Sequence, residues 1–169
     1  PPAIVITDSQ AFAKVAAIVP PEIPLTSFSF LFARQKADLE EMVRGVKRLE
    51  QLRPGDEVLI VEGCTHHRQP DDIGTVKIPR WVSQIAGEGI KFSWASGAYY
   101  PKDLSRYALI IHCGGCMLNR REMQYRVQSA RKQGVYITNY GVFIAYATGI
   151  LSRALQPFPS ARMVLEMQF

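Results

Sequence analysis

Short apolar runs alternate with longer amphipathic stretches along this chain. The apolar runs are rich in Val, Ile and Leu, and most of them lack polar alternation, which is typical of strands buried on both faces of a sheet. We predict strands at residues 3–7, 57–61, 90–94, 108–111 and 135–138. Because strands and helices alternate, the sequence predicts an α/β fold, with a mostly parallel sheet, right-handed crossovers and helices on both faces.

The amphipathic stretches predict the helices. The longest helix is predicted at residues 27–52, where apolar side chains recur every three or four positions. Other helices are predicted at residues 11–17, 79–86, 119–132 and 141–155, and a tail of mixed character follows them. Asp8-Ser9 suits the N-cap of the first helix, and Asn119 with Glu122 forms a capping-box pattern at the start of the helix at 119–132.

The composition is that of an ordinary globular protein, with a net charge of +5. No apolar run approaches the roughly 20 residues that cross a bilayer, so we expect no membrane association. We find no arginine-rich tract with interleaved aromatic residues and expect no nucleic-acid partner. One basic concentration is either a solvated helix face or a basic rim around an anionic cofactor or an acidic partner. It comprises Arg120, Arg121, Arg126, Arg131 and Lys132.

The chain begins with Pro-Pro-Ala-Ile-Val and shows neither an initiator Met nor a signal-peptide pattern. We therefore expect the C-terminal piece of a longer protein in a reducing, cytoplasmic compartment. Pro20-Pro21 and Pro24 form the best candidate boundary within the chain, because prolines stop the first helix and stiffen the connection.

The chain has three cysteines, and all of them lie beside histidines in two short elements. Cys64 belongs to Cys64-Thr65-His66-His67, and the other two belong to His112-Cys113-Gly114-Gly115-Cys116. Each element directly follows a predicted strand. Since sites in open parallel sheets form at the carboxyl ends of strands, we expect the two elements to meet at one sheet edge. An odd number of thiols is a metal-binding set more naturally than a disulfide set.

Three kinds of site remain open from the residues alone. The first is a Cys₃His zinc site with His66 or His112 as the fourth ligand. The second is a redox-active Cys113-x-x-Cys116 pair, which leaves Cys64 and its histidines unexplained. The third is an iron–sulfur cluster held by the three thiolates, near glycine-rich loops and a helix N-terminus that suit an anionic centre. His67 is more naturally a surface or supporting residue.

The pattern Cys64-x-His66 followed by His112-Cys113-x-x-Cys116 resembles the cluster-binding signature of the HydF family, the maturation GTPases of FeFe-hydrogenases. The surrounding segments resemble that family too, over nearly the whole chain. They are residues 6–12, 24–29, 62–67, 71–74 and 77–81.

The resemblance implies a division into residues 1–25, the end of a dimerisation domain, and residues 26–169, an iron–sulfur cluster domain. The sequence has no G-x-x-x-x-G-K-[ST] loop, so we expect this chain to lack the family's GTPase activity and not to be an enzyme. The resemblance also implies that the chain forms a homodimer or a higher assembly.

The resemblance further implies a 4Fe-4S cluster with Cys64, Cys113 and Cys116 as its ligands. His66 and His112 match the motif histidines, and Asp8 is a hypothetical further ligand. The implied role is that of a scaffold or carrier for a two-iron subcluster with CO and cyanide ligands. It would receive this unit through radical-SAM maturases and pass it to the apo-FeFe-hydrogenase.

Overall fold

A computed structural model describes residues 1–65 and 71–168 of the 169-residue chain. Four strands form a central sheet in the order β4-β3-β5-β6, and every neighbouring pair is parallel. These strands are β3 Glu57–Glu62, β4 Lys91–Ser96, β5 Leu109–His112 and β6 Tyr136–Asn139. Helices pack around the sheet, so the predicted α/β class is confirmed.

Within the central sheet, the buried side chains are concentrated in β3, β5 and β6. β3 lies between β4 and β5, and Ile60 is paired with Trp94 on one side and with Ile111 on the other. Ile60 and Ile111 are fully buried. All four residues of β5 and all but the first of β3 are buried, so both faces of these strands are covered, which explains their continuous apolar runs in the sequence.

A smaller sheet lies earlier in the chain, and we call it the first sheet. It pairs β1 Val5–Thr7 with β2 Leu25–Ser27 in parallel. Helix α1 Phe12–Ile18 connects the two strands. The predicted burial of the strand at 3–7 is wrong, because Ile4 and Ile6 are 37% and 39% exposed. The predicted cap of α1 is wrong as well. Its N-cap is Ala11, and Asp8 instead accepts a hydrogen bond from the Gln10 N–H in a turn (2.7 Å).

The predicted helix at residues 27–52 is in fact several elements. After β2 come α2 Phe28–Lys36, α3 Leu39–Val46 and a 3₁₀ turn at Lys47–Gln51. The chain leaves helical geometry at Ala37, and Asp38 restarts it by accepting a hydrogen bond from the Glu41 N–H (3.0 Å). An N-cap aspartate satisfies an otherwise unpaired amide, so it favours a new helix over a continuous one. Both helices still bury apolar side chains in the same core, so the three- and four-residue spacing of apolar positions continues across the break.

The remaining helices surround the central sheet. A π-helical turn at Ile73–Lys77 leads into α4 Ile78–Ala86, and α5 spans Arg120–Lys132. The predicted helix at 141–155 divides into α6 Tyr140–Ala147 and α7 Leu151–Ala154, because Gly149 adopts a positive φ of 76° between them. The tail contains a helix that the sequence did not suggest, α8 Pro159–Glu166.

Close contact between α3 and β6 fixes one side of the central sheet. A Cβ atom added at Gly45 would lie 1.9 Å from the carbonyl oxygen of Ile137, so only glycine permits this approach. Among the helices described, none is long and apolar enough to cross a membrane.

Candidate metal centre

The two cysteine elements follow neighbouring strands. Cys64 lies two residues beyond β3, and Cys113 directly follows β5. The backbone N–H of Gly63 donates a hydrogen bond to the sulfur of Cys113 (3.1 Å), and the Cys113 N–H donates to the carbonyl of Val61 (2.7 Å). The end of β3 and the start of the loop after β5 are therefore in direct contact, as expected from the parallel topology.

All three cysteines are free thiols, and they differ in exposure. Cys64 and Cys113 are half-buried, whereas Cys116 is exposed. Burial raises the pKa of Cys113, while hydrogen bonds from the Gly63 and Gly115 amides act in the opposite direction. Burial also raises the pKa of Cys64, with smaller contributions from the negative charges of Cys116 and Glu62. Negative charges on the thiolates repel one another, and a bound metal cation would relieve this repulsion.

Residues 113–119, the cysteine loop, require glycine at a critical position. Gly115 has φ 68°, and an added Cβ atom would lie 2.7 Å from the sulfur of Met123. Gly63, on the facing segment, is similarly close to Leu118, whose Cδ1 would lie 2.8 Å from an added Cβ atom. The absence of side chains at these glycines allows the two backbone segments to approach the cysteine sulfurs.

Helix α5 begins immediately after the cysteine loop. The side chain of Asn119 accepts a hydrogen bond from the Glu122 N–H (2.9 Å), which confirms the predicted N-cap. The Glu122 carboxylate accepts from the guanidinium of Arg126 (2.7 Å), one turn further along the helix. The 13-residue helix starts four residues after Cys116, and a helix N-terminus favours negative charge near it.

His112 is fully buried, and both of its ring nitrogens are engaged. Its Nε2 lies 3.0 Å from a guanidinium nitrogen of Arg126, and its Nδ1 lies 2.8 Å from the carbonyl oxygen of Cys113. Because arginine can only donate, Nε2 accepts and Nδ1–H donates. Burial, opposed by the bond to Cys113 and aided by the charge of Arg126, lowers the pKa of His112 to about 4. These contacts suit a neutral side chain that supports the cysteine loop more than they suit a ligand.

Arg126 is the site residue that the sequence analysis missed, because it was grouped with a basic helix face. Unlike Arg120 and Arg121, which are exposed, it is completely buried. Besides Glu122 and His112, it donates to the carbonyl of Gly97 at the end of β4 (3.1 Å). The only sequence signal was the four-residue spacing between Glu122 and Arg126, which is also common on solvated helices.

The other predicted residues are not brought into this arrangement by the described contacts. His66 and His67 lie outside the described residues. Asp8 is exposed, and its part as a further ligand stays a prediction. Within residues 1–65 and 71–168, no group of three or more His, Cys, Asp or Glu side chains is placed so that it could hold a metal ion.

An open cleft of about 430 Å³ lies beside Cys64. Its walls come from the segment around Cys64, the residues after β4, Leu118 of the cysteine loop and the first turns of α5, and they include Thr65, Gly97 and Arg126. The cleft therefore gives access from solvent to Cys64, at the carboxyl end of β3.

Two family models match the chain in succession. The model described as the hydrogen maturase F dimerization domain matches residues 1–37, and the one described as the hydrogen maturase F tetramerization domain matches residues 40–157. A search of curated proteins found no match. The predicted division at residues 25 and 26 stays a prediction. The two matched domains are oligomerization domains rather than catalytic ones, which supports self-association and a part in hydrogenase maturation. Since the second match alone spans more than half of the chain, the chain belongs to the HydF family.

Proposed function

We propose that this chain is the cluster-binding part of a FeFe-hydrogenase maturation scaffold, which holds a 4Fe-4S cluster through Cys64, Cys113 and Cys116. The observation that carries the proposal is the hydrogen bond from the Gly63 N–H to the sulfur of Cys113. It joins the segment that bears Cys64 to the loop that bears the other two cysteines.

The residues fit such a cluster in their chemistry. Iron–sulfur clusters are held by cysteine thiolates, and their potentials depend on hydrogen bonds to sulfur. Here three free thiols lie on adjoining segments, and the amides of Gly63 and Gly115 already donate to Cys113. Helix α5 starts four residues after Cys116, and its positive N-terminal end favours negative charge nearby. When bound by three cysteines, a 4Fe-4S cluster keeps one iron open to an exchangeable ligand.

The chain's cargo would be the two-iron subcluster precursor with its CO and cyanide ligands. The cleft beside Cys64 provides an opening to solvent at one of the three proposed ligands, as reception and release of a cargo require. The partners would be radical-SAM maturases as donors and the apo-FeFe-hydrogenase as acceptor. Free thiols suit a reducing compartment such as the cytoplasm.

Anaerobic reconstitution with iron and sulfide tests the proposal. We expect about four iron and four sulfide ions per chain and the EPR signal of a reduced 4Fe-4S cluster. Cys64→Ser, Cys113→Ser and Cys116→Ser should each lose most of this content. Met117→Ser is the matched control, because Met117 is an exposed sulfur-containing neighbour of Cys116.

Other outcomes would favour the alternatives. A colourless protein with one tightly bound zinc ion, lost in each cysteine variant, would replace the proposal by a structural Cys₃His zinc module for protein contacts. Reversible disulfide activity that survives Cys64→Ser would favour a thiol–disulfide oxidoreductase that needs only Cys113 and Cys116.

A further inference from the structure

Lys36, the last residue of α2, reaches across to the cysteine loop. Its ammonium group donates to three main-chain carbonyls of that loop, those of Gly115 (3.4 Å), Cys116 (3.1 Å) and Leu118 (3.0 Å). These carbonyls lie 79 to 82 residues further along the chain. A lysine at a helix C-terminus commonly interacts with the last carbonyls of its own helix. The ammonium group of Lys36 instead binds carbonyls of the cysteine loop, which precedes α5.

The orientation of these carbonyls decides where the loop amides point. In a planar trans peptide, the C=O group and the following N–H group point in opposite directions. Carbonyls directed at Lys36 therefore turn the amides of Cys116, Met117 and Asn119 away from it. The sulfur of Cys113 accepts from the Gly63 N–H (3.1 Å) and, within the loop, from the amide of Gly115, which shares its peptide group with the Gly114 carbonyl rather than with a carbonyl that Lys36 binds. Lys36 thus fixes the three peptide groups 115–116, 116–117 and 118–119, which flank Cys116 and follow directly on the amide that contacts sulfur.

Lys36 is itself held in place. Its ammonium lies 4.9 Å from the centre of the Phe32 ring, a cation–π contact one turn back on α2. The helix is tied to the central sheet region at both ends. Asn139 donates to the carbonyl of Ser29 (3.1 Å), and Gln124 donates to the carbonyl of Ala37 (3.1 Å). The lysine is therefore presented to the loop by a fixed element.

We propose that Lys36 is a positioning residue, which holds the cysteine loop, and with it Cys116, in its folded conformation. The inference deepens the proposed function and rests on it wherever the cluster is concerned. Lys36 lies within residues 1–37, the match to the dimerization domain, whereas the loop lies within the tetramerization match. The same contact thus links the two matched segments of the chain.

The first test uses the metal-free chain, so that it does not depend on the cluster. Lys36→Met removes three hydrogen bonds from a charged donor, and amide hydrogen exchange of peptides covering residues 113–119 should become roughly tenfold faster or more. Lys36→Arg restores charge and donors and should return exchange towards wild type. Lys14→Met is the matched control, because Lys14 is an exposed lysine of the same segment. Exchange that is equal in Lys36→Met and Lys14→Met would overturn the proposal.

The second test uses the reconstituted chain. Since amide hydrogen bonds and nearby positive charge raise a cluster's potential, Lys36→Met should retain iron and sulfide but show a lower midpoint potential and an altered EPR spectrum. Lys36→Arg should restore both. Faster exchange with an unchanged potential would overturn the positioning role and leave only a structural tie. If wild-type protein takes up no iron and sulfide, the proposed function fails and the role towards the cluster fails with it, whereas the exchange result still reports on the contact between Lys36 and the loop.

Discussion

The central sheet and the first sheet are both parallel, yet they complete their burial in different ways. In the central sheet, β3 and β5 are covered on both faces, and Ile60, Ile110 and Ile111 are fully buried. In the first sheet, β2 is buried throughout, whereas β1 keeps Ile6 39% exposed. The edge strand β4 of the central sheet also leaves an apolar side chain exposed, Trp94 at 44%, so the contrast holds between the inner strands β3 and β5 and the strand β1.

The first sheet is nevertheless anchored to the rest of the molecule. Phe12 of α1 is fully buried and stacks against Phe30 of α2, with ring centres 6.2 Å apart. The guanidinium of Arg153 donates to the carbonyls of Ala16, Val19 and Pro20, at the end of α1. The exposed face of β1 therefore belongs to a fixed element, and it lies in the segment that matches a dimerization domain. β3 and β5 therefore bury their apolar side chains within the chain, whereas β1 leaves apolar surface exposed in the segment that matches a dimerization domain.

The largest expected effect comes from truncating the central sheet. Ile60→Ala removes a fully buried side chain between two paired strands, and we expect a loss of about 2–5 kcal/mol in the free energy of unfolding. Ile6→Ala makes the same chemical change in the first sheet and should cost less than about 1 kcal/mol, because that side chain is partly exposed. Urea unfolding of both variants measures the contrast. Equal losses would show that the two sheets do not differ in this way.

A smaller loss is expected from the buried guanidinium beside the cysteine loop. Arg126→Met leaves the Nε2 of His112 and the carbonyl of Gly97 without their donor, and we expect a cost of about 2–4 kcal/mol. Glu122 is partly exposed, so its lost ion pair adds little. The same substitution at the exposed Arg121 is the control and should stay within about 0.5 kcal/mol. If thermal or urea unfolding gave equal values for both variants, the network would not stabilise the strand ends.

The central sheet was predictable because each of its strands has a local signal. Buried parallel strands give unbroken apolar runs, and Asn119 caps α5 as its position before the helix predicts. The approach of the two cysteine elements also followed from their positions directly after two predicted strands of one parallel sheet. The break at Ala37 does have a capping signal in Asp38 and Glu41, but the apolar periodicity continues across it and predicted one helix. The burial of Arg126 has no such signal, since an arginine on a helix is ordinarily solvated.

The exposure of β1 could not be read from its sequence either. Residues 3–7 are as apolar as the strands of the central sheet, and a period-two or continuous apolar pattern does not say what covers it. Lys36 escaped notice for a related reason, because its partners are main-chain carbonyls about 80 residues away. Contacts of this kind depend on tertiary structure and leave no spacing in the sequence.

The smallest expected effect on stability should accompany a clear effect on assembly. Ile6→Lys places a charge on the open face of β1, where solvent can still reach it in the isolated chain, so the free energy of unfolding of the dissociated chain should change by about 0.5 kcal/mol or less. If this face is covered in the assembly, the ammonium must be desolvated there, and association should weaken by roughly tenfold or more. Sedimentation velocity over a concentration series measures the shift towards smaller species.

Ile18→Lys provides the control for this last comparison. Ile18 lies at the end of α1 and is 81% exposed, so it tests whether any added charge on an exposed isoleucine of this segment disturbs assembly. A loss of association in Ile6→Lys alone would assign the open face of β1 to the self-association interface. Unchanged assembly in both variants would contradict that assignment. The open face of β1 would then be an ordinary exposed surface, and the contrast between the two sheets would concern stability alone.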